Sequence, residues 1–171
     1  PELARNLRNL EYSRRLMKNK FNQIMSEVDR KYDHLRESLP FTWNTVPKKY
    51  EHGSGIYLFS ENDKPLYVGR TNNLKQRLRN HTRPSHNMAT FAFLLARHAT
   101  ERLSASYRPL GSRKDLLKND TTFRKAFDDA RERIKRMDVR FVEEKEPVGQ
   151  ALLEIYAAYV SKAKYNDFDT R

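Results

Sequence analysis

Two short apolar runs, Gly55-Ile-Tyr-Leu-Phe and Leu66-Tyr-Val-Gly69, flank the polar segment Glu61-Asn-Asp-Lys-Pro65. β-branched and aromatic residues on either side of such a turn predict a β-hairpin with a five-residue connection. A third strand follows from Val139-Arg-Phe-Val-Glu143, where apolar and polar residues alternate. Helical patterns fill the rest. Thr71 and Asn72 are N-cap candidates for a helix over residues 73–81. Residues 87–99 predict another, with Phe91, Leu94, Leu95 and His98 on one face. Thr121 or Thr122 can cap a basic helix running to about Arg136. Pro147 suits the first position of a helix over residues 148–163. The order points to an α+β fold, a small three-stranded antiparallel sheet flanked by helices.

Residues 3–35 place Leu3, Leu7, Leu10, Met17, Phe21, Ile24, Val28 and Leu35 on one a/d seam, interrupted by Arg14 and Lys31. This is a long amphipathic helix or a pair of them, ending near Pro40. Its seam either packs on the core or joins two copies in a homodimer. The chain divides into a helical N-terminal arm and connector, residues 1–47, and a domain over residues 48–171. Residues 102–120, which carry Pro109 and Gly111, read as an exposed insertion.

Lys and Arg outnumber Asp and Glu by 34 to 22, a formal net charge of +12. A foldable domain this basic most often faces a polyanion, and nucleic acid is the commonest. The absence of cysteine excludes disulfides, thiolate zinc sites and thiol nucleophiles. No apolar run is long enough for a membrane span and no signal-peptide pattern is present, so the expected location is intracellular, in the cytoplasm.

Four features carry chemistry. Leu74, Arg77, Leu78 and His81 share one helical face at i, i+3, i+4, i+7 spacing, so an Arg and a His point inward. A desolvated guanidinium needs an anionic partner, either a carboxylate of the fold or a substrate phosphate. On the last helix Ala151, Glu154, Ala157, Ala158 and Ser161 form a small-residue stripe, with Leu152, Ile155, Tyr156 and Tyr159 as bulky packing faces. Small neighbours leave room at Glu154 for an ion and its waters, although an ordinary helix charge reads the same way. Tyr57 and Tyr67 lie on adjacent strands, where core packing is the ordinary role. Gly55 and Gly69 mark close backbone approach or turn geometry.

Taken in order, Gly55-Ile-Tyr57, Tyr67-Val-Gly69, Arg77 on the following helix, Glu154 on a late helix and Asn166 beyond it resemble the GIY-YIG nucleases. The stretch from Tyr67 to His81 is similar to the family's second strand and first helix. The resemblance covers about residues 53–166. His81 one turn after Arg77, and Asn166 after Glu154, look most like the restriction-endonuclease branch. The second tripeptide departs by ending Val-Gly rather than Ile-Gly, and residues 102–120 have no counterpart.

The resemblance implies a phosphodiesterase that cuts double-stranded DNA. In it Tyr57 is the general base, aided by a hydrogen bond from His81, and Tyr67 positions the water or the scissile phosphate. Arg77 pairs with non-bridging oxygens. Glu154 holds one hard divalent cation, Mg²⁺ with Mn²⁺ able to substitute, and Asn166 orients the phosphate or the metal ligands. Arg70, Lys75, Arg79 and Arg83 are the expected DNA contacts. The alternatives are a nuclease that reads shape rather than sequence, a catalytically inactive nucleic-acid-binding module, or an RNA substrate. His34, His52, His86 and His98 show no metal spacing and are expected to be structural or exposed. Of these, His52 lies nearest the first strand.

Overall fold

The computed structural model describes residues 2–85, 87–102, 112–166 and 168, with side chains in the first helix from residue 11 onward. Three strands form one antiparallel sheet in the order β2-β1-β3, with β1 at Gly55–Glu61, β2 at Lys64–Thr71 and β3 at Asp138–Glu143. The α+β reading and its three-stranded sheet are therefore correct. Helix α1 spans Glu2–Glu37, α2 Leu74–His81, α3 Thr90–Ala99, α4 Arg113–Asn119, α5 Thr121–Ile134 and α6 Pro147–Val160.

The central strand β1 organises both cores. Its side chains alternate across the sheet, as strand geometry requires. Tyr57 and Phe59 enter a cluster with Leu74 and Leu78 of α2, Phe91 of α3 and Phe123 of α5. Ile56 and Leu58 enter a second cluster on the opposite face, with Val28, Tyr32 and Leu35 of α1 and Leu153, Ala157 and Ala158 of α6. Both faces of β1 are covered, and residues 55–60 are all buried.

The hairpin turn is shorter than expected. Asn62 and Asp63 alone connect the strands, at φ of 49° and 59°. Asn and Asp tolerate this left-handed region, and the two-residue turn fits the twist of the strands. Pro65 is not a stop but lies inside β2. There Ser60 pairs with Pro65 and Phe59 with Tyr67, so Leu66 is the extra residue of a β-bulge. Proline is tolerated because β2 is an edge strand.

Other expectations shift for identifiable reasons. Asn73, rather than Thr71 or Asn72, caps α2, its Oδ1 accepting from Gln76 N at 3.0 Å. Asp120, rather than Thr121 or Thr122, caps α5 by accepting from Phe123 N at 2.9 Å. Part of the expected insertion is helix α4, which buries Leu116; residues 103–111 lie outside the described residues. On α6, Ile155 and Tyr159 face solvent, 53% and 77% exposed, and are not packing residues. The alanines Ala157 and Ala158 do the packing instead, letting the helix approach the sheet closely.

Helix α1 is one continuous element of 36 residues, about 54 Å long at 1.5 Å per residue. Among its described side chains, Val28, Tyr32 and Leu35 in the C-terminal turns are buried, whereas Met17 and Phe21 are exposed. Lys31, which interrupts the seam, forms an ion pair with Glu144 at 2.5 Å. Tyr156 of α6 donates to Asp29 and meets Tyr32 edge-on, fixing the two helices together. Among the described residues no helix is long and apolar enough to cross a membrane.

Candidate active site

Strands β1 and β2 and helices α2, α3 and α6 bring the site together. Tyr57 is central on β1, opposite Gly69 on β2, so the first residue of interest and the second tripeptide's glycine share a face. The Tyr57 ring is fully buried, and its hydroxyl reaches α2. There Arg77 Nε–H donates to the Tyr57 oxygen at 3.0 Å, and His81 Nε2 lies 2.8 Å from it. The i, i+4 spacing of Arg77 and His81 is what aims both at one phenol. Tyr67, opposite Phe59, stacks on Phe91 at a centroid distance of 4.5 Å and also hydrogen-bonds Arg77.

Thr90, the first residue of α3, was not anticipated. Its hydroxyl accepts from Arg77 Nη2 at 3.2 Å and also hydrogen-bonds Tyr67. No periodicity marks it, because its partners lie on other elements. Arg77 therefore rests on two phenols and one hydroxyl, all of them neutral groups. Of the two partners expected for it, a fold carboxylate and a phosphate, this arrangement favours the phosphate.

Burial sets the protonation states. It raises the Tyr57 pKa far above that of an ordinary phenol, with Tyr67 and Glu154 adding to the effect and Arg77 opposing it. Burial likewise raises Tyr67, again with Arg77 opposing. Burial and the Arg77 charge hold His81 well below the usual imidazole range, so the ring is neutral. Its Nδ1 is buried without a hydrogen-bond partner among the described residues. The tautomer with the proton on Nε2 leaves only a lone pair there, rather than an N–H, and directs a donor at Tyr57.

Gly69 has a definite reason to lack a side chain. A Cβ there would lie 2.3 Å from the Tyr57 hydroxyl and 2.5 Å from the ring carbon that bears it. The glycine admits a side chain of the protein itself, not a ligand. Gly55 plays the matching part toward β3, where a Cβ would meet the Val142 carbonyl at 2.0 Å. Gly69→Ala should push the phenol off Arg77 and His81. The expected cost is about 1–3 kcal/mol of stability, the usual range for overpacking, and about 10²-fold in rate, as for a reacting group displaced by an ångström. Melting curves and single-turnover rates check this. Wild-type cleavage by a folded Gly69→Ala protein would show that the phenol's position does not matter.

Glu154 reaches the same region from α6, across the open edge of β2. Its carboxylate accepts from the Arg70 backbone N–H and lies 3.3 Å from Arg70 Nε. Burial raises its pKa, with Arg70 and then Arg77 opposing. The side chain is 27% exposed. Among the described residues no group of three or more His, Cys, Asp or Glu could hold a metal ion. A lone, accessible carboxylate does fit a hard cation such as Mg²⁺, which keeps most of its waters and takes its remaining ligands from phosphate oxygens.

Asn166 lies on the same strand edge, with both amide atoms engaged. Its Oδ1 accepts from Val68 N at 2.7 Å and its Nδ2 donates to Val68 O at 2.9 Å. Tyr165 N donates to Leu66 O beside it. The side chain thus pairs with β2 as a strand would, using one of its two amide hydrogens and one of its two oxygen lone pairs. It fixes the segment that follows α6.

The basic candidates separate. Arg70 adjoins Glu154 on the edge of the sheet. Lys75, ion-paired with Glu51 at 2.8 Å, and the exposed Arg79 lie on the side of α2 turned away from Arg77. Arg83 is half-buried, with Nη1 4.0 Å from Met88 Sδ. His52 Nδ1 is 3.4 Å from Asn73 Nδ2, and His98 meets the Tyr165 ring at 5.1 Å. His86 lies outside the described residues.

No curated protein is significantly similar in sequence. Among solved structures, two tyrosine-to-phenylalanine point mutants of the GIY-YIG N-terminal endonuclease domain of UvrC from Thermotoga maritima are similar to this chain. Both are described as bound to the catalytic divalent cation. Each is 15% identical and covers 71% of this chain and 99% of its own, with TM-scores of 0.38 and 0.37. Similarity that distant says nothing about individual residues. The GIY-YIG catalytic domain model, in contrast, matches residues 53–166, two-thirds of the chain and the span that holds Tyr57, Tyr67, Arg77, His81, Glu154 and Asn166. The chain therefore belongs to the GIY-YIG catalytic domain family of nucleases.

Proposed function

We propose that this nuclease hydrolyses phosphodiester bonds of double-stranded DNA at defined sequences, as a restriction-type enzyme, and depends on Mg²⁺. The observation that carries the reading is the Tyr57 oxygen held by Arg77 and a neutral His81, with a single carboxylate across the strand edge. Phosphodiester hydrolysis needs a base for the attacking water and charge relief on the phosphorane. Tyr57 is the base. The Arg77 Nε–H and the His81 Nε2–H both favour its phenolate, whereas the Glu154 charge disfavours it.

Arg77 presents the rest of its planar fork to the non-bridging oxygens, supported from behind by Thr90. Tyr67, clamped on Phe91, orients the water or the phosphate. Glu154 would hold the cation, Mg²⁺ or in its place Mn²⁺, which when bound supplies charge relief at the leaving oxygen. Asn166 acts as a positioning residue through β2. The net charge of +12 supplies the long-range attraction to DNA, with Arg70, Lys75, Arg79 and Arg83 as phosphate contacts.

Purified protein incubated with plasmid DNA in Mg²⁺, and in parallel with EDTA, tests this reading. Discrete fragments in Mg²⁺ and intact plasmid in EDTA are expected. A smear would replace sequence recognition by shape recognition. Retention of DNA without cutting in any divalent cation would overturn the enzyme assignment for this chain.

A further inference from the structure

The contact between Arg70 and Glu154 has a chemistry of its own. Glu154 is the carboxylate assigned to the cation, and in the structure it already has a positive charge on it: Arg70 Nε at 3.3 Å. The two guanidiniums near this carboxylate are held very differently. Arg77 is half-buried and fixed by Tyr57 and Thr90. Arg70 is on the edge strand, with a side chain 51% exposed. An ion pair of such an exposed side chain is weak and yields to competing charge.

A divalent cation brought to Glu154 would meet the positive charge of Arg70 at close range, where the repulsion is strong. The two cannot share the carboxylate equally. The Arg70 backbone N–H, which also donates to Glu154, stays in place whichever cation is present, so the carboxylate keeps its position through an exchange. Released from Glu154, the half-exposed Arg70 side chain at the edge of β2 can take up a backbone phosphate from solvent.

We infer that Arg70 is a resident stand-in for the divalent cation at Glu154, and that its transfer from Glu154 to a DNA phosphate couples cation binding to DNA binding. The inference rests on Glu154 being the metal ligand. By linkage, a phosphate that draws Arg70 away raises cation affinity, and the cation raises DNA affinity by the same factor. Metal occupancy is then low on the free protein and high on the complex.

The test measures Mn²⁺ affinity from the spin-resonance signal of the free ion, with full-length protein carrying Tyr57→Phe so that DNA stays intact. The proteins compared carry Arg70→Gln, Arg70→Lys, Glu154→Gln or no further change, each with and without a short duplex, and circular dichroism confirms folding. Without DNA, Arg70→Gln should bind Mn²⁺ about fivefold or more tightly than its parent, within the usual range of coupling between sites. Arg70→Lys, which keeps the charge, should stay near the parent. Duplex DNA should tighten Mn²⁺ binding to the parent, and this gain should shrink in Arg70→Gln. Unchanged or weaker Mn²⁺ binding by Arg70→Gln, or no effect of duplex on the parent, would overturn the inference. Glu154→Gln separates it from the underlying reading: undiminished Mn²⁺ binding by that variant would remove Glu154 from the metal site altogether.

Discussion

Tyr57→Phe is expected to lower the cleavage rate about 10²- to 10⁴-fold, the usual contribution of a positioned general base. The aromatic packing survives, because the ring stays among Phe59, Tyr67 and His81. Stability does not survive unchanged. The hydroxyl is the acceptor for Arg77 and the partner of His81, and its removal leaves both without that contact. A loss of about 1–3 kcal/mol is expected, the cost of stranding buried polar groups. Tyr12→Phe, at a residue 71% exposed, is the silent control, whereas the buried Tyr32 is unsuitable for that purpose.

The same phenol sets the pH dependence. Its pKa is raised by burial, so at neutral pH only a small fraction is phenolate, and that fraction grows as pH rises. The single-turnover rate of the wild type should therefore climb by up to about tenfold per pH unit through the neutral range, without a plateau there. Tyr57→Phe should flatten the slope. A Tyr57→Phe enzyme with wild-type rate and slope would move the base role to Tyr67 or His81.

Glu154→Gln should abolish cleavage, by roughly 10²-fold or more, because in the proposed reading several kcal/mol of charge stabilisation depend on the carboxylate that would hold the cation. The substitution adds no bulk, and the amide oxygen can still accept from the Arg70 N–H. DNA binding should hold or tighten slightly, since one negative charge leaves a surface that faces phosphates. Filter binding in EDTA and single-turnover cleavage in Mg²⁺ separate the two effects. Cleavage at the wild-type rate would place the metal elsewhere.

The parts of the site that could be read from the sequence are those fixed by local periodicity. Arg77 and His81 must share a helix face four residues apart, and Tyr57 and Gly69 must share a sheet face once the hairpin register is set. What could not be read depends on residues meeting across elements. Thr90 bonds Arg77 from the start of α3, and nothing near it in the chain reports that contact. Asn166 pairs with Val68, 98 residues away, and no local pattern reports that its amide closes a strand edge. Pro65 was read as the end of a turn because proline usually stops a strand, yet on an edge its missing N–H costs nothing. The small-residue stripe on α6 is compatible in sequence with space for an ion or with an ordinary helix charge, and in the structure Ala157 and Ala158 are packed in the cluster under the sheet. Small residues on a helix mark either an opening or a close approach, and only the neighbour distinguishes them.

The position of Tyr57 on the central strand also bears on motion. β1 has a partner strand on each side and a core on each face, so its amides have no route to solvent through local fraying. Such positions exchange hydrogen only when the whole domain opens. The Tyr57 oxygen is therefore carried by a slowly exchanging part of the protein, whereas Arg70 on the edge strand β2 and Glu154 on α6 have side chains open to solvent. Slow breathing of the enzyme should register in Arg70 and Glu154 long before it reaches the base.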